Sequence, residues 1–433
     1  MPSPSARRAP VNPDRRRFAS GLALAAAAAA LEPRRAFAQP QPVLMTAQRL
    51  ELSPDTSPLA YDAGGIPPVL RVRRGERLAI RLANDLAEAT SLHWHGLRPQ
   101  DAAAGLPGLA PVAPGATADI AVTPRDAGIV LFHPGLVGTG PRQMRDGLAG
   151  ILIVDHAAAP ADAREVVLHL AETAPRSGAQ PRILVNGRPE MALRARAGER
   201  LWLRLANATP HRLVQFAAPD QTLTLVALDG QPCEPFRLDG GRIVLGPGQR
   251  AEAMWDVTGQ PGASVPVNLA QLGGASLTGS LAIADDAAVR TEPLPPLEPL
   301  AASPLAQTLD FRRAQRLDLA IQGAPGGEFL FGGRADAAPA ATPAFRVRRG
   351  SVVMVALKNE TDRFHAVHWH GHPARLLDNM DDGWKPFFID TVICPPRSTS
   401  RIAFLAEMAG RWPVTCQTIN ADPAPRVLWF EVS

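Results

Sequence analysis

Cysteine is scarce in this sequence. The 433 residues include only three cysteines, Cys233, Cys394 and Cys416. An odd number cannot be fully paired, so the chain has no complete disulfide framework and at least one thiol is left over. A single disulfide between two of the three cysteines is compatible with the sequence. The length is enough for two to four domains, each stabilised by its own apolar core.

The chain also lacks a strongly basic domain, although its sequence pI is about 9.5. Residues 1–38 hold seven of the 45 basic residues and two of the 41 acidic ones. The remainder has 38 basic and 39 acidic residues and is therefore close to neutral. Without a cationic face carrying interleaved aromatic side chains, we expect no binding to nucleic acid.

A long apolar run is missing as well. The alanine-rich stretch after Arg15, Arg16 and Phe18 is too short for a convincing membrane span. Small residues at Ala36 and Ala38 offer a cleavage site. Residues 1–38 resemble a twin-arginine export signal, which predicts a periplasmic protein without stable membrane insertion after cleavage. An uncleaved anchor is the alternative.

Proline and glycine, by contrast, are plentiful, with 44 and 36 residues, and they separate many short apolar segments. One pattern occurs three times: a glycine turn, then a strand of alternating apolar and polar residues that reaches an asparagine nine residues later. The three copies begin at Gly75, Gly198 and Gly350. Each is followed downstream by a proline turn and a second alternating strand. The pattern predicts an all-β chain of three related β-sandwich domains.

The predicted boundaries follow from these repeats and from the linkers between them. We assign residues 39–157, 163–290 and 306–433 to the first, middle and third domains. The proline-rich segment Thr291–Leu305 forms the second linker, and a less marked first linker lies around Asp155–Ala163.

Six of the ten histidines fall into three short motifs, which are His93 and His95; His133; and His365, His368 and His370. In a strand, residues i and i+2 point to the same face, so both imidazoles of a His-Trp-His segment can approach one metal ion. A single such segment could be a pair of surface histidines. Two nearly identical segments, in the first and third repeats, predict a metal site shared between those domains.

These motifs resemble those of three-domain multicopper oxidases, the family of laccases and copper-efflux oxidases. The resemblance rests on "HWHGL", "GLAGILIVD", "LVNG", "LDGQP" and "FHAVHWHGH" and covers nearly the whole mature chain. It implies three cupredoxin-like Greek-key domains and copper as the cofactor. It further implies a trinuclear copper cluster between the first and third domains. A type 1 copper in the third domain would take electrons from a small-molecule or metal-ion donor.

The resemblance also implies a role for each matching residue. His93 and His368 match the type 2 copper ligands, His95 and His133 match one type 3 copper, His370 matches the other, and His365 and Cys416 match the type 1 site.

The chain departs from the family pattern at five positions where the family has other residues, mostly histidines: Gly135, Thr415, Gln417, Ala421 and Arg426. Three of the eight cluster histidines and one of the two type 1 histidines are therefore missing. A type 1 site needs two imidazoles and a thiolate, so Cys416 and His365 are expected to be its remnant. A guanidinium at Arg426 that points inward would repel copper further.

We therefore expect fewer copper ions than in the family. The surviving histidines (His93, His95, His133, His368 and His370) predict one type-2-like copper, because three imidazoles and a water complete one ion. Full reduction of dioxygen to water is not expected. A metal-free relict is the structural alternative. The functional alternatives are an inactive scaffold or binding protein, as in a twin-arginine-exported cell-division protein of this fold, with a possible protein partner, or a copper-binding and storage protein.

Overall fold

Short extended segments make up most of the described chain. The computed structural model describes residues 41–51, 57–65, 67–99, 109–156, 160–173, 182–272, 274, 276–290, 292, 294–300, 303, 305, 308–377, 387–421 and 424–433. The predicted export signal lies outside these residues. No helix within them is long and apolar enough to cross a membrane.

The first domain contains eight strands and one short helix. The strands are β1 (Val43–Arg49), β2 (Leu59–Asp62), β3 (Val69–Arg73), β4 (Leu78–Asn84), β5 (His93–His95), β6 (Thr117–Val122), β7 (Gly128–His133) and β8 (Gly150–Asp155), and the helix is α1 (Gly140–Arg145). One sheet has the order β2-β1-β4-β6 and the other β3-β8-β7-β5.

The middle domain contains eleven strands. They are β9 (Ala163–Thr173), β10 (Arg182–Val185), β11 (Ala192–Ala195), β12 (Arg200–Asn207), β13 (Val214–Ala217), β14 (Thr222–Leu228), β15 (Gln231–Arg237), β16 (Arg242–Leu245), β17 (Arg250–Asp256), β18 (Ser264–Gln271) and β19 (Ser276–Ile283). The sheets are β10-β9-β12-β17-β14-β15 and β11-β19-β18-β13-β16, and a 3₁₀ turn covers Asp239–Gly241.

The third domain also contains eleven strands. They are β20 (Gln315–Gly323), β21 (Phe329–Phe331), β22 (Phe345–Val347), β23 (Val352–Asn359), β24 (His365–Trp369), β25 (Ala374–Leu377), β26 (Phe388–Ile389), β27 (Thr391–Cys394), β28 (Thr399–Leu405), β29 (Gly410–Thr418) and β30 (Arg426–Val432). The sheets are β21-β20-β23-β28-β25-β26 and β22-β30-β29-β24-β27, and 3₁₀ turns cover Phe311–Arg313 and Pro325–Gly327.

Each domain is a sandwich whose two sheets enclose an apolar core. In the third domain, for example, Val353 of one sheet and Trp412 of the other belong to one buried cluster. The first and middle domains have equivalent cores, which likewise draw on both of their sheets. The predicted fold class is confirmed. The exact domain boundaries stay predictions, although every described strand lies within one of the predicted ranges.

The threefold repeat has a physical basis in the glycine and the asparagine that flank it. The glycines have left-handed φ angles of 80°, 73° and 81°, which favour residues without a Cβ. The asparagine at the end of each following strand pins the next loop, because its amide donates to two or more backbone carbonyls. These buried asparagines are Asn84, Asn207 and Asn359. The same glycine turn and buried asparagine thus occur in all three domains.

Strand β12 departs from the expected half-buried pattern, because all eight of its residues are buried. Its polar face lies under the proline-rich linker, where Trp202 packs with Leu300. On the same face Arg204 lies 3.9 Å above the Trp202 ring and forms an ion pair of 3.0 Å with Glu165. The residue types still alternate along the strand, but the linker covers the side that would otherwise face water.

Candidate metal centre

The five surviving histidines lie around one pocket at the junction of the first and third domains. Strand β5 presents His93 and His95, and its neighbour β7 places His133 directly opposite His93. Strand β24 of the third domain carries His368, and His370 follows at its end. All five rings line the same pocket. The structure therefore brings together the residues that the sequence motifs singled out.

Two nitrogen–nitrogen distances in this group match those of ligands on one metal ion. His93 Nε2 lies 3.3 Å from His368 Nε2, and His95 Nδ1 lies 3.3 Å from His133 Nε2. Two nitrogens bound tetrahedrally at about 2.0–2.1 Å from an ion would be roughly 3.3–3.4 Å apart. The first pair joins the two domains across the pocket.

His370 supplies a second indication of a ligand. Its ring is buried, and neither of its nitrogens has a hydrogen-bond partner within the described residues. The ring centre lies 4.3 Å from those of both His93 and His368. One ligand atom from each of these three side chains lies within 4.8 Å of the others. An unpartnered buried imidazole costs free energy, so a metal ion or water is its expected partner.

Burial keeps four of the five site histidines neutral. Desolvation, followed by the proximity of the other rings, lowers the pKa of His93 and His370 well below the usual value. Desolvation also lowers the pKa of His95 well below that value and the pKa of His133 to about 4. Neutral imidazole is the form that binds a metal, so the site is competent at neutral pH.

Three of these rings are fixed by hydrogen bonds on the side away from the pocket centre. His133 donates from Nδ1 to the Pro134 carbonyl at 2.9 Å, and His368 donates from Nδ1 to the Asp390 carbonyl at 3.1 Å. His95 Nε2 lies 2.7 Å from the Thr391 hydroxyl. Each ring thus directs its other nitrogen toward the neighbouring histidine.

The sequence motifs gave no indication of Asp390 and Thr391, which support these rings. Gly248 of the middle domain was also missed, although "LGPGQR" was recognised as a repeated turn. A Cβ at Gly248 would lie 2.1 Å from Cε1 of His95, so only glycine leaves room for the ring.

The positions of the missing cluster histidines line the same pocket. Gly135, Thr415 and Gln417 all face it, and none offers an imidazole. The pocket has a cavity volume of about 70 Å³. That is room for several waters, because one water needs about 10–15 Å³.

A count of ligands limits what this pocket can hold. Five imidazoles cannot provide three ligands each to two separate ions, and the groups of three that the structure offers share members. The five imidazoles therefore fall short of the eight that the resemblance implies for a full trinuclear cluster.

The type 1 position has two of its expected residues in contact. Cys416 Sγ lies 4.0 Å from His365 Nδ1, and both side chains are buried. Within the described residues, no further histidine, cysteine or acidic group completes a close set of three with them. The His365 ring instead contacts the hydroxyls of Thr361 at 2.9 Å and Thr418 at 3.4 Å. Burial raises the pKa of the Cys416 thiol well above its usual value, so it is protonated.

Arg426 lies beside this remnant, and its charge is paired. It donates to the Phe329 carbonyl at 3.1 Å and forms an ion pair with Glu328. Its guanidinium packs 5.0 Å from the centre of the Phe329 ring, and that ring lies 4.9 Å from the His365 ring. The positive charge is thus held next to Phe329 by Glu328. All three cysteines of the chain are free.

Comparison with known proteins identifies the family of this chain. Models of multicopper oxidase domains match residues 46–159, 155–263 and 310–420. The chain belongs to the multicopper oxidase family. Copper is the cofactor that this membership implies, and the family consists of copper-dependent oxidoreductases.

Individual multicopper oxidases resemble the chain over most of its length. The multicopper oxidase MmcO of Mycobacterium tuberculosis is 25% identical over 436 residues, covering 87% of this chain and 82% of MmcO. A multicopper oxidase from Pseudomonas thermotolerans is 27% identical with a TM-score of 0.74, covering 90% and 98% of the two chains. Lac15 from a marine microbial metagenome is 26% identical with a TM-score of 0.71, covering 90% and 100%.

The buried His365 predicts a pH dependence of the metal-free protein. Desolvation lowers the pKa of its ring to about 4 in the folded state, whereas an unfolded histidine has a pKa near 6.5. Between these values the unfolded chain binds more protons, so folding stability falls as the pH is lowered. One such histidine changes the free energy of unfolding by up to about 1.4 kcal/mol per pH unit.

Urea unfolding between pH 7 and pH 4.5, with chelator present, measures this effect. His365→Gln should reduce the slope of unfolding free energy against pH by the contribution of one titrating group. Cys416→Ser is the matched control and should keep the parent's slope, because the thiol is uncharged throughout this range. Equal slopes for His365→Gln and the parent would show that His365 has the same pKa in the folded and unfolded chain, which would contradict this prediction.

Proposed function

We propose that this chain is an exported, copper-binding oxidoreductase of the multicopper oxidase family with a reduced ligand set. It would hold a single type-2-like copper ion between the first and third domains. The observation that carries the proposal is the pairing of His93 Nε2 with His368 Nε2 at 3.3 Å beside the unpartnered His370. Gly135, Thr415 and Gln417, in the places of further ligands, limit the site to one ion.

The residues of the pocket bind, orient and shield. His93 and His368 would hold the ion from opposite domains, with His370 as the third ligand. A bound copper ion would supply one-electron redox chemistry with a small-molecule or metal-ion donor. The lining of the pocket also includes Leu136, Met144 and several prolines, which surround the histidines with apolar side chains.

We further propose that electrons do not enter by the family's usual path. That path runs from the type 1 thiolate to the cluster through the two residues that flank the cysteine. Here these are Thr415 and Gln417, and neither supplies the imidazole that the family has at these positions. Complete four-electron reduction of dioxygen is therefore not expected, and the donor would have to react at the pocket itself.

A non-enzymatic binding or scaffold role is the second candidate. The observation that favours it is the type 1 remnant, where threonine hydroxyls satisfy the His365 ring without a metal. A scaffold would recognise a protein partner and would need no copper. A copper-storage role would need the ion but no turnover.

Copper analysis of protein matured in copper-replete periplasm tests the proposal. We expect about one copper per chain, bound by three imidazoles and water, and no intense blue absorption. His93→Ala combined with His368→Ala should abolish copper binding. Cys416→Ser, a buried substitution outside the pocket, should retain it. A chain without copper would favour the scaffold. Intense blue colour that Cys416→Ser removes would contradict the loss of the type 1 site.

Export by the twin-arginine route is a separate part of the proposal, supported by Arg15, Arg16 and the alanine-rich stretch that follows. Changing both arginines to lysine should retain the precursor in the cytoplasm, as measured by cell fractionation. Unchanged export of this variant would refute the twin-arginine assignment and leave the copper site unaffected.

A further inference from the structure

The middle domain contributes none of the five histidines. It does, however, bind and fix a third-domain side chain, Asp390, that contacts two of them. Asp390, a third-domain residue just before β27, is buried beneath the His95 and His368 rings. Its Oδ1 lies 3.5 Å from His95 Nε2 and 3.4 Å from His368 Nδ1. Arg250 of the middle domain donates to both of its carboxylate oxygens, at 3.0 and 2.5 Å.

Asp390 could be taken for a metal ligand, because it forms a close group with His95 and His368. The Arg250 guanidinium argues against this, since it occupies both oxygens and places a positive charge where the ion would bind. Moreover, the two histidine nitrogens on this side face hydrogen-bond acceptors. This side of the rings is therefore suited to orienting them, and the opposite side to binding the ion.

The hydrogen count at Thr391 determines the direction of these bonds. Its hydroxyl lies 2.9 Å from Asp390 Oδ1 and 2.7 Å from His95 Nε2. An ionised carboxylate only accepts hydrogen bonds, so the single hydroxyl hydrogen is donated to Asp390. The hydroxyl oxygen must then accept from His95, which places the ring proton on Nε2. His95 Nδ1 is left with its lone pair toward His133.

The middle domain fixes Asp390 through several buried contacts. The Asp229 carboxylate accepts from the backbone N–H groups of Asp390 and Thr391, at 3.1 and 3.2 Å. Arg250 donates to the carbonyls of Asp229 and Gly248, both at 2.9 Å. These residues belong to the "LDGQP" and "LGPGQR" segments. Neither segment contains a proposed copper ligand, so the ligands do not explain what these segments do.

We propose that Asp390 is a positioning residue for the metal centre and that Arg250 and Asp229 make the middle domain its support. Asp390 orients the Thr391 hydroxyl, and this in turn sets the His95 tautomer that directs the Nδ1 lone pair toward His133. The effect on metal affinity rests on the proposed function. The tautomer itself is a property of the metal-free protein.

Thr391→Val tests this arrangement, because it removes the hydroxyl with little change in volume, and Thr391→Ser is its matched control. In nitrogen-15 NMR of the metal-free full chain, His95 should carry its proton on Nε2 in the parent and in Thr391→Ser. Thr391→Val should lose that single tautomer. Competitive titration with Cu²⁺ alone should show binding weakened about 10- to 100-fold in Thr391→Val, the usual effect of losing a group that orients a ligand, because the Thr391 hydroxyl also lies 3.3 Å from Nδ1 of the proposed ligand His368. Thr391→Ser should bind close to the parent.

Asp390→Asn provides a second variant of nearly identical shape. Its amide can donate to the Thr391 oxygen, which would release the hydroxyl hydrogen toward His95 and favour the opposite tautomer. The proposal is overturned if the parent carries the His95 proton on Nδ1, or if Thr391→Val and Asp390→Asn both keep the parent's tautomer. Failure of the parent to bind Cu²⁺ would refute the proposed function instead, and the tautomer measurement would still decide this inference.

Discussion

The meeting of two His-Trp-His segments from different domains at one buried pocket is the constraint on which the rest of this structure depends. Each segment presents two imidazoles on one side because strand residues alternate between faces. Burial then lowers the pKa of His93 and His370, so the rings stay neutral and repel one another little. A group of neutral imidazoles whose nitrogens point at each other is stable only with water, a shared proton or a metal between them.

The pocket forms between domains and so depends on their relative positions. Ion pairs link the domains at two places. Arg250 links the middle domain to Asp390 of the third. Arg98 of the first domain bonds Asp126 at 2.7 Å and also pairs with Glu407 of the third at 2.5 Å. Breaking a fully buried pair such as Arg250–Asp390 by removing one partner costs about 3–5 kcal/mol.

Much of this arrangement could be predicted from sequence, because it depends on local pattern. The glycine turns, the alternating strands and the spacing of His93, His95 and His368 all follow from strand geometry. The support of the site could not be predicted in the same way. Asp390 and Arg250 meet through domain packing, and nothing near either residue in the sequence indicates its partner. The cover of the polar face of β12 is likewise not apparent from the sequence of that strand, because it comes from the linker residue Leu300.

Our central proposal is that this chain holds one metal ion where the family resemblance implies a cluster of three. Anomalous diffraction at the copper absorption edge, from crystals of the copper-loaded chain, tests it most directly. We predict one strong peak between His93 Nε2 and His368 Nε2 and none beside Cys416. Two or more peaks of comparable height in the pocket, or a peak bridging Cys416 and His365, would contradict the account.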